Sequence, residues 1–342
     1  MDKTMRAAVF EGEGELVLKE VPVPRVERPD QVLLAVDAVS ICGTDVHIVE
    51  VPPGYIATPG TILGHEFAGT VVEMGEDVTH LAVGDRVVVN PNDYCGVCTY
   101  CRMNLPNECE NIQTLGIDVD GAFAEYCCVS GKVAYPIAKD VPVEHGACAE
   151  PLACVINGTE KVRLQPGQSA AVIGAGPIGM IMAMMFRAAG ASTVIIAERA
   201  PYRIDHARSL GIGRVVDVGR EDLGEVVLEE TGIGVDVVAD VVGTQLSTAI
   251  ALARKGGKVL VFGVDTKSIA EFPQSQVTFK ELQVLGTWLA NATFPKAVNV
   301  LEGGLLDIDG LITEVIPLEE IHEGIEKLAA GDRGSFLKRT SL

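Results

Sequence analysis

The sequence is short of several things, and each shortage removes a class of function. Basic residues are outnumbered: 27 Lys and Arg stand against 47 Asp and Glu, a formal charge of -20. Such a surface repels nucleic-acid backbones and anionic lipid, and no basic or aromatic stripe interrupts the excess. No apolar run is long enough to span a bilayer core, and the opening MDKTMRAAVFEGEGE lacks the apolar stretch of a secretion signal. Repeats and low-complexity segments are missing too. The expectation is a cytoplasmic protein with no nucleic-acid partner and no membrane partner. In that compartment nine cysteines argue against a disulfide framework, leaving burial, metal binding or chemistry as their roles.

What is present suits a folded chain of two domains: 342 residues, 48% hydrophobic and 22% charged. Short apolar or alternating segments fill the first half (AAVF, ELVLKEV, VLLAVDAVS, FAGTVVEMG, DRVVVN, EYCCVS), punctuated by Gly and Pro. They predict a compact, mostly antiparallel β domain with long loops. From about residue 156 the rhythm becomes strand then helix: SAAVIG, PIGMIMAMMFRAAG, TVIIAE, YRIDHARSL, VVDV, an acidic helix near 221–230, VDVVADVVG, the helix QLSTAIALARKG and the strand KVLVFG. Alternation of this kind predicts βαβ units around a parallel sheet, with LQVLG as a further strand. Two helical patterns follow, FPKAVNVLEGG and LEEIHEGIEKLAAG, and then a short tail, GSFLKR.

Four cysteines crowd one polar loop, NPNDYCGVCTYCRMNLPNEC. Cys95, Cys98, Cys101 and Cys109 have the spacing C-x2-C-x2-C-x7-C. Thiolates on such a turn-rich loop converge on a tetrahedral ion, and zinc is the expected one. With every position taken by sulfur, the ion fastens the loop and leaves nothing for substrate.

A second group of donors is more open. VSICGTDVHIVE offers Cys42, Thr44, Asp45 and His47; ILGHEFAG offers His65 and Glu66; ACAEPLACV offers Glu150 between Cys148 and Cys154. Cys42 and His65 form a usable zinc pair, completed by one or both carboxylates. His65 and Glu66 can face one ion only if the backbone turns, which Gly64 permits. Fewer than four tight protein ligands leave a position for substrate, whose hydroxyl the ion acidifies. Thr44 and His47 could carry the released proton to solvent. Cys127, Cys128, Cys148 and Cys154 read as packing residues, and His80, His145, His206 and His322 carry no chemical reading.

Gly174, Gly176 and Gly179 of VIGAGPIG fit G-x-G-x-x-G between a strand and an apolar helix that opens Pro177-Ile178-Gly179. The glycines permit a tight turn, close approach to a pyrophosphate and close helix packing, and the phosphates meet free N–H groups. Glu198 ends the next strand, where an acid accepts the adenosine ribose hydroxyls. NAD is therefore expected; Arg199 and Arg203 keep NADP open, because either could pair with a 2′-phosphate. The four methionines of PIGMIMAMMFRAAG read as a buried helix face.

Taken together, CGTDVH, GHEFAG, CGVCTYCRMNLPNEC, GAFAEY, AEPLACV and VIGAGPIG, in that order, resemble the zinc-containing medium-chain dehydrogenases across essentially the whole chain. The likeness is greatest to the polyol, sorbitol and threonine dehydrogenase branch. The resemblance implies an α/β chain: a GroES-like, β-rich catalytic domain and a Rossmann domain with a doubly wound parallel sheet. Residues 1–155 would form the first, 156–290 the nucleotide-binding domain, and 291–342 would return to the catalytic domain, GSFLKR as a strand. It also implies two zinc ions per chain, the catalytic one on Cys42 and His65 with Glu66 and Glu150 as carboxylates bound to it directly or through water, Glu66 ahead at rest. Homo-oligomers, dimers or tetramers, are usual in that family. Asn157 departs from the histidine of many relatives. LGTWLANATF, with Trp288 and Asn291, resembles substrate-side loops of sugar-alcohol enzymes, and Tyr55 lies in another candidate substrate loop.

The expected reaction takes a proton from a secondary alcohol of a polyol or sugar-like small molecule, and a hydride to NAD+, giving a ketone and NADH. Threonine, glucose, simple alcohols and sugar phosphates are the alternatives within this class; an anionic substrate would need a cation, for which Arg102 and Lys280 are on offer. A nucleotide-binding structural protein that has lost its chemistry is the alternative from another class.

Overall fold

The computed structural model of the chain describes residues 3–331 and the strand Ser335–Arg339. Residues 1–2, 332–334 and 340–342, which fall in the expected outer segments, lie outside the described residues, and Gly334 of the tail GSFLKR with them.

The first half builds a ribbon, Thr4–Gly12 against Glu15–Pro22, and most of a seven-stranded sheet. Across that sheet run Ile312–Ile316, Ser335–Arg339, Gln31–Ser40, Glu66–Met74, Arg86–Val89 and Ala134–Pro136, with Tyr126–Ser130 also paired to Gln31–Ser40. Gln31–Ser40 is buried at nearly every position, as its apolar run VLLAV requires of a strand covered on both faces. The tail strand pairs antiparallel with it, Leu337 opposite Ser40, and parallel with Ile312–Ile316, so it lies inside this sheet.

One pairing matters more than the rest. Gln31–Ser40 and Glu66–Met74 are antiparallel with Ser40 opposite Glu66. The chain therefore leaves one strand at Cys42 beside the point where it enters the other at His65, and residues 23 positions apart become neighbours.

The second half is an all-parallel sheet of six strands: Ser169–Ile173, Thr193–Glu198, Arg214–Asp217, Val235–Asp240, Ala253–Val261 and Gln283–Gly286. Across the sheet they run third, second, first, fourth, fifth, sixth, the doubly wound order of a dinucleotide fold. Its switch point falls between Ser169–Ile173 and Val235–Asp240, with the glycine-rich turn at the carboxyl edge. One expected boundary is corrected. The helix in QLSTAIALARKG stops at Leu252, and ARKGG belongs to the strand Ala253–Val261, because Ala253 pairs with Val235 and cross-strand bonding overrides helix propensity there.

Helix Ala149–Val162 joins the two halves. It is buried from Ala149 through Gly158, and its core extends from Ala68 and Val88 of the first sheet to Val172 of the second and Met180 of the helix that follows. Met180, Met182 and Met184 are buried in that core. Among the described residues no helix is long and apolar enough to cross a membrane.

Candidate active site and metal centres

The Cys-rich loop folds as a short strand Asn92–Asp93, a helical turn Thr99–Arg102 and a 3-10 turn Pro106–Glu108. Sulfur atoms of Cys95, Cys98, Cys101 and Cys109 all lie within 4.8 Å of one another, and none is in a disulfide. Backbone N–H groups of Val97 and Cys98 donate to Cys95 Sγ at 3.5 and 3.3 Å, and those of Cys95 and Asn111 to Cys109 Sγ at 3.3 and 3.4 Å. The Val97 and Cys98 groups bring the Cys95 thiol down to about 6, while burial and the neighbouring Cys98 push Cys101 up to about 12. Thiolates pre-pointed by amide donors fit a tetrahedral soft cation, and from Asp93 to Pro106 the loop has no buried side chain to hold it otherwise.

The second cluster comprises Cys42, His65 and Glu66, whose donor atoms also lie within 4.8 Å of one another. Cys42 caps the helix Gly43–Val49, and Gly64 turns the chain into His65 with φ +89°. A Cβ on Gly64 would come within 2.6 Å of the Phe123 ring, so glycine is required by both angle and space. Ser40 Oγ donates to Glu66 Oε2 in a short hydrogen bond. The fully buried Asp45 accepts the Cys42 N–H on Oδ2 at 2.8 Å and faces His65 Nδ1 with Oδ1 at 3.6 Å. The sequence places Asp45 in its motif but assigns it no task.

Electrostatics at this cluster call for a cation. Burial pushes the Cys42 thiol well up, and Glu66, Asp45 and Glu150 add to the push. Burial raises Glu66 as well. For His65 burial acts downward, but Asp45, Glu66 and Glu150 outweigh it and the imidazole is raised. A thiol, an imidazole and a carboxylate packed together are stable as anionic and neutral donors only around a positive ion. With Asp45 on Nδ1, His65 keeps Nε2 for it. Three donors leave a fourth position open, which suits a catalytic zinc.

Glu150 stands outside this group. It begins helix Ala149–Val162, its Oε1 accepts from Cys154 Sγ at 3.2 Å, and burial with Glu66 nearby pushes its carboxyl up to about 7.

A cleft of about 840 Å³ runs from this cluster to the glycine-rich turn. Cys42, His47 and Glu66 line one end; Gly174, Gly176, Pro177, Ile178, Gly179, Glu198, Arg199 and Arg203 line the other. Gly174 has φ +110°, and a Cβ on Gly179 would meet Gly174 O at 1.9 Å, so this turn and the helix Pro177–Ala188 close on each other only through glycine. Among the described residues, a Cβ on Gly176 would meet only Arg203 Nη1, at 3.9 Å, which leaves that face to a pyrophosphate. Glu198 is braced by the N–H groups of Ala175, Arg199 and Ala200 at 2.9, 2.7 and 3.0 Å. Arg203 reaches the Leu328 carbonyl from Nη2 at 3.4 Å.

Other expected residues lie elsewhere. Thr44 is half-buried on the helix Gly43–Val49 and is not among the cleft-lining residues, nor are Tyr55, Trp288 and Asn291. His47 is exposed, with Nδ1 3.1 Å from Glu50 Oε1. The Trp288 carbonyl accepts from Asn107 Nδ2 at 3.0 Å and Asn157 Nδ2 at 3.2 Å, so Asn157 fastens the segment that follows the last parallel strand. Lys280 donates to the carbonyls of Ile250, Ala251 and Ala253, capping a helix end, and Arg102 is in the Cys-rich loop. His80, His145 and His206 make structural contacts with Gly131 O, Asp309 and Gly310 O.

Comparison with known proteins agrees with this geometry. Residues 28–139 match the alcohol dehydrogenase GroES-like domain family and residues 177–303 the zinc-binding dehydrogenase family. L-threonine 3-dehydrogenase of Caldanaerobacter subterraneus subsp. tengcongensis is 36% identical over 98% of this chain and 99% of its own. D-arabinitol dehydrogenase 1 of Uromyces fabae is 32% identical over 95% and 94%. The crystal structure of a zinc-binding dehydrogenase from Sinorhizobium meliloti bound to NADP superposes with a TM-score of 0.93 at 34% identity, covering 99% of this chain and 100% of that one. The protein is a zinc-dependent, NAD(P)-dependent dehydrogenase with two zinc sites. Its chain belongs to the zinc-binding medium-chain dehydrogenase/reductase superfamily.

Proposed function

We propose that the protein oxidises a secondary alcohol of an uncharged polyol or sugar-like molecule to a ketone, with NAD+ as hydride acceptor. The observation that carries this reading is the distribution of charge along the cleft. Near Cys42 and His65 the lining side chains include Glu50 and Glu66, whereas the cations among the described lining residues, Arg199 and Arg203, stand at the Glu198 end. With Glu66 held by the ion, Glu50 is the carboxylate left at the metal end, so a phosphate or carboxylate on the substrate would find no Lys or Arg of the cleft lining there, while hydroxyl groups would find an acceptor. At the other end the braced Glu198 suits the ribose hydroxyls of NAD and opposes a 2′-phosphate.

Cys42, His65 and Glu66 would hold the catalytic ion, with Glu150 as a reserve carboxylate, and the four loop cysteines the structural one. Zinc in the first site supplies Lewis acidity toward a hydroxyl. The chain's own part is to take the proton: Thr44 Oγ1 and His47 lie three residues apart on one helix face, and with Glu50 beside Nδ1 the imidazole would accept the proton at Nε2 and release one from Nδ1 toward Glu50 and solvent. Gly174, Gly176 and Gly179 would let a nucleotide lie close to the backbone in the same cleft that Cys42 lines. Tyr55, Trp288 and Asn291 would shape the outer substrate site. The proposal extends to a cytoplasmic homo-oligomer, a dimer or tetramer, divided near residues 155 and 290.

A β-hydroxy amino acid such as threonine is the second reading, favoured by the 36% identity to a threonine dehydrogenase. NAD reduction with a panel of polyols, butanediols, threonine, glucose and sugar phosphates tests both. Turnover of polyols above all others supports the first; threonine as the best substrate replaces it with the second.

A further inference from the structure

Helix Ala149–Val162 carries Glu150 and, one turn later, Cys154 on the same face, toward the metal-ligand cluster. Both are buried, 8% and 9% exposed, and Cys154 Sγ donates to Glu150 Oε1 at 3.2 Å. Glu150 is close enough for charge to act between it and its neighbours, Glu66 on Glu150 and Glu150 on His65, yet its oxygens are outside the set of donor atoms that gather within 4.8 Å. A buried carboxyl beside a metal site has two resting places, on the ion or against another donor, and a thiol is the donor provided here.

We propose that Cys154 is a positioning residue, whose thiol holds the Glu150 carboxyl beside the Cys42–His65–Glu66 cluster instead of on it and so keeps the fourth coordination position open. This rests on the reading of that cluster as the catalytic zinc site. A thiol is a weak donor, but a weak bond suffices to choose between two buried positions of one side chain. The plain alternative is that Cys154 only fills space as a small apolar group.

Three variants separate the two. Cys154→Val keeps bulk and removes the donor, Cys154→Ser keeps a donor, and Cys154→Val/Glu150→Gln removes the carboxylate that would move. The readouts are release of the second metal to a chelator and the visible spectrum of the enzyme with Co2+ in that site. With Cys154→Val, Glu150 should join the ion: release slows about tenfold, the scale of outer-shell effects on metal affinity, and the cobalt bands change. Cys154→Ser should resemble the parent, and the double variant should lose the slow release. Parent-like release and spectrum in Cys154→Val would overturn the proposal, as would a slowing that persists without the Glu150 carboxylate. Should Cys154→Val not fold, Cys154→Ala is read by the same criteria. A parent that takes up only one metal per chain overturns the zinc reading itself and this proposal with it, a result distinct from two metals and an indifferent Cys154.

Discussion

One carboxylate braces two candidate ligands: Asp45 accepts the Cys42 N–H at 2.8 Å with one oxygen and stands 3.6 Å from His65 Nδ1 with the other. Among the described residues neither His65 Nδ1 nor Asp45 Oδ1 has a hydrogen-bond partner, and both atoms are buried. A charge placed behind an imidazole strengthens its far nitrogen as a ligand. Asp45→Asn should therefore weaken zinc at the Cys42 site by about 10- to 100-fold while sparing the four-cysteine site. Competition with a graded chelator, counting zinc per chain, reads this directly; equal retention at both sites would show that Asp45 does not support the ligand.

Gly64 is the backbone condition for the same site. Its φ is +89° and the Phe123 ring lies 2.6 Å from where a Cβ would sit, so Gly64→Ala must shift His65 and Glu66. The expected loss is about 1–3 kcal/mol of stability together with the second zinc. Denaturant unfolding and metal content should fall together, and a fully stable two-zinc variant would refute the requirement.

Glu198 has two tasks that a single substitution disturbs at once. Its oxygens satisfy the N–H of Ala175 in the glycine-rich turn and those of Arg199 and Ala200 just after its own strand, and would also face the ribose. Glu198→Ala should weaken both nucleotides, with NAD losing about tenfold more than NADP, about 1.4 kcal/mol. Titration calorimetry with each nucleotide measures the ratio; an unchanged ratio removes Glu198 from cofactor choice.

The Cys-rich loop should behave as a fastening. Cys98→Ser is expected to lower zinc from two to one per chain and to lower Tm, whereas Cys128→Ser, outside the loop, should do neither. An unaltered Tm after loss of one zinc would leave the loop without a structural role.

Acid stability follows from Asp236. It accepts from Ser169 N–H and Oγ at 2.8 and 2.9 Å and from Arg254 at 2.8 and 2.6 Å, tying two parallel strands at their starts. Burial would raise its carboxyl, but the Ser169 and Arg254 bonds outweigh burial and hold it below the usual range. A depressed folded value means that the contribution is present above the unfolded carboxyl's titration and disappears as pH falls through the folded one. Asp236→Asn should cost about 1–3 kcal/mol at neutral pH and progressively less below about pH 4. A constant difference from pH 7 to pH 2 in urea unfolding would contradict this.

Motifs with local spacing were legible in the sequence: the four cysteines, the glycine turn and its acid, and the alternation of strand and helix. Cys42 and His65 were legible as donor types, but their meeting depends on the Ser40–Glu66 register, a long-range pairing that no local pattern encodes. Asp45 was missed because a buried acid and a solvated helix-start acid look alike in sequence. For Trp288 and Asn291 an aromatic and an amide in a loop signal substrate; the fold ties the Trp288 carbonyl to Asn107 and Asn157, neither residue is among those lining the cleft, and their part in an outer substrate site is a proposal.

The central claim is an incompletely coordinated zinc at Cys42 and His65. Anomalous diffraction at the zinc edge, from crystals grown with NAD, tests it most directly. The account predicts two peaks per chain, one among the four loop sulfurs and one between Cys42, His65 and Glu66 with a non-protein ligand. A single peak, at the loop alone, would contradict it.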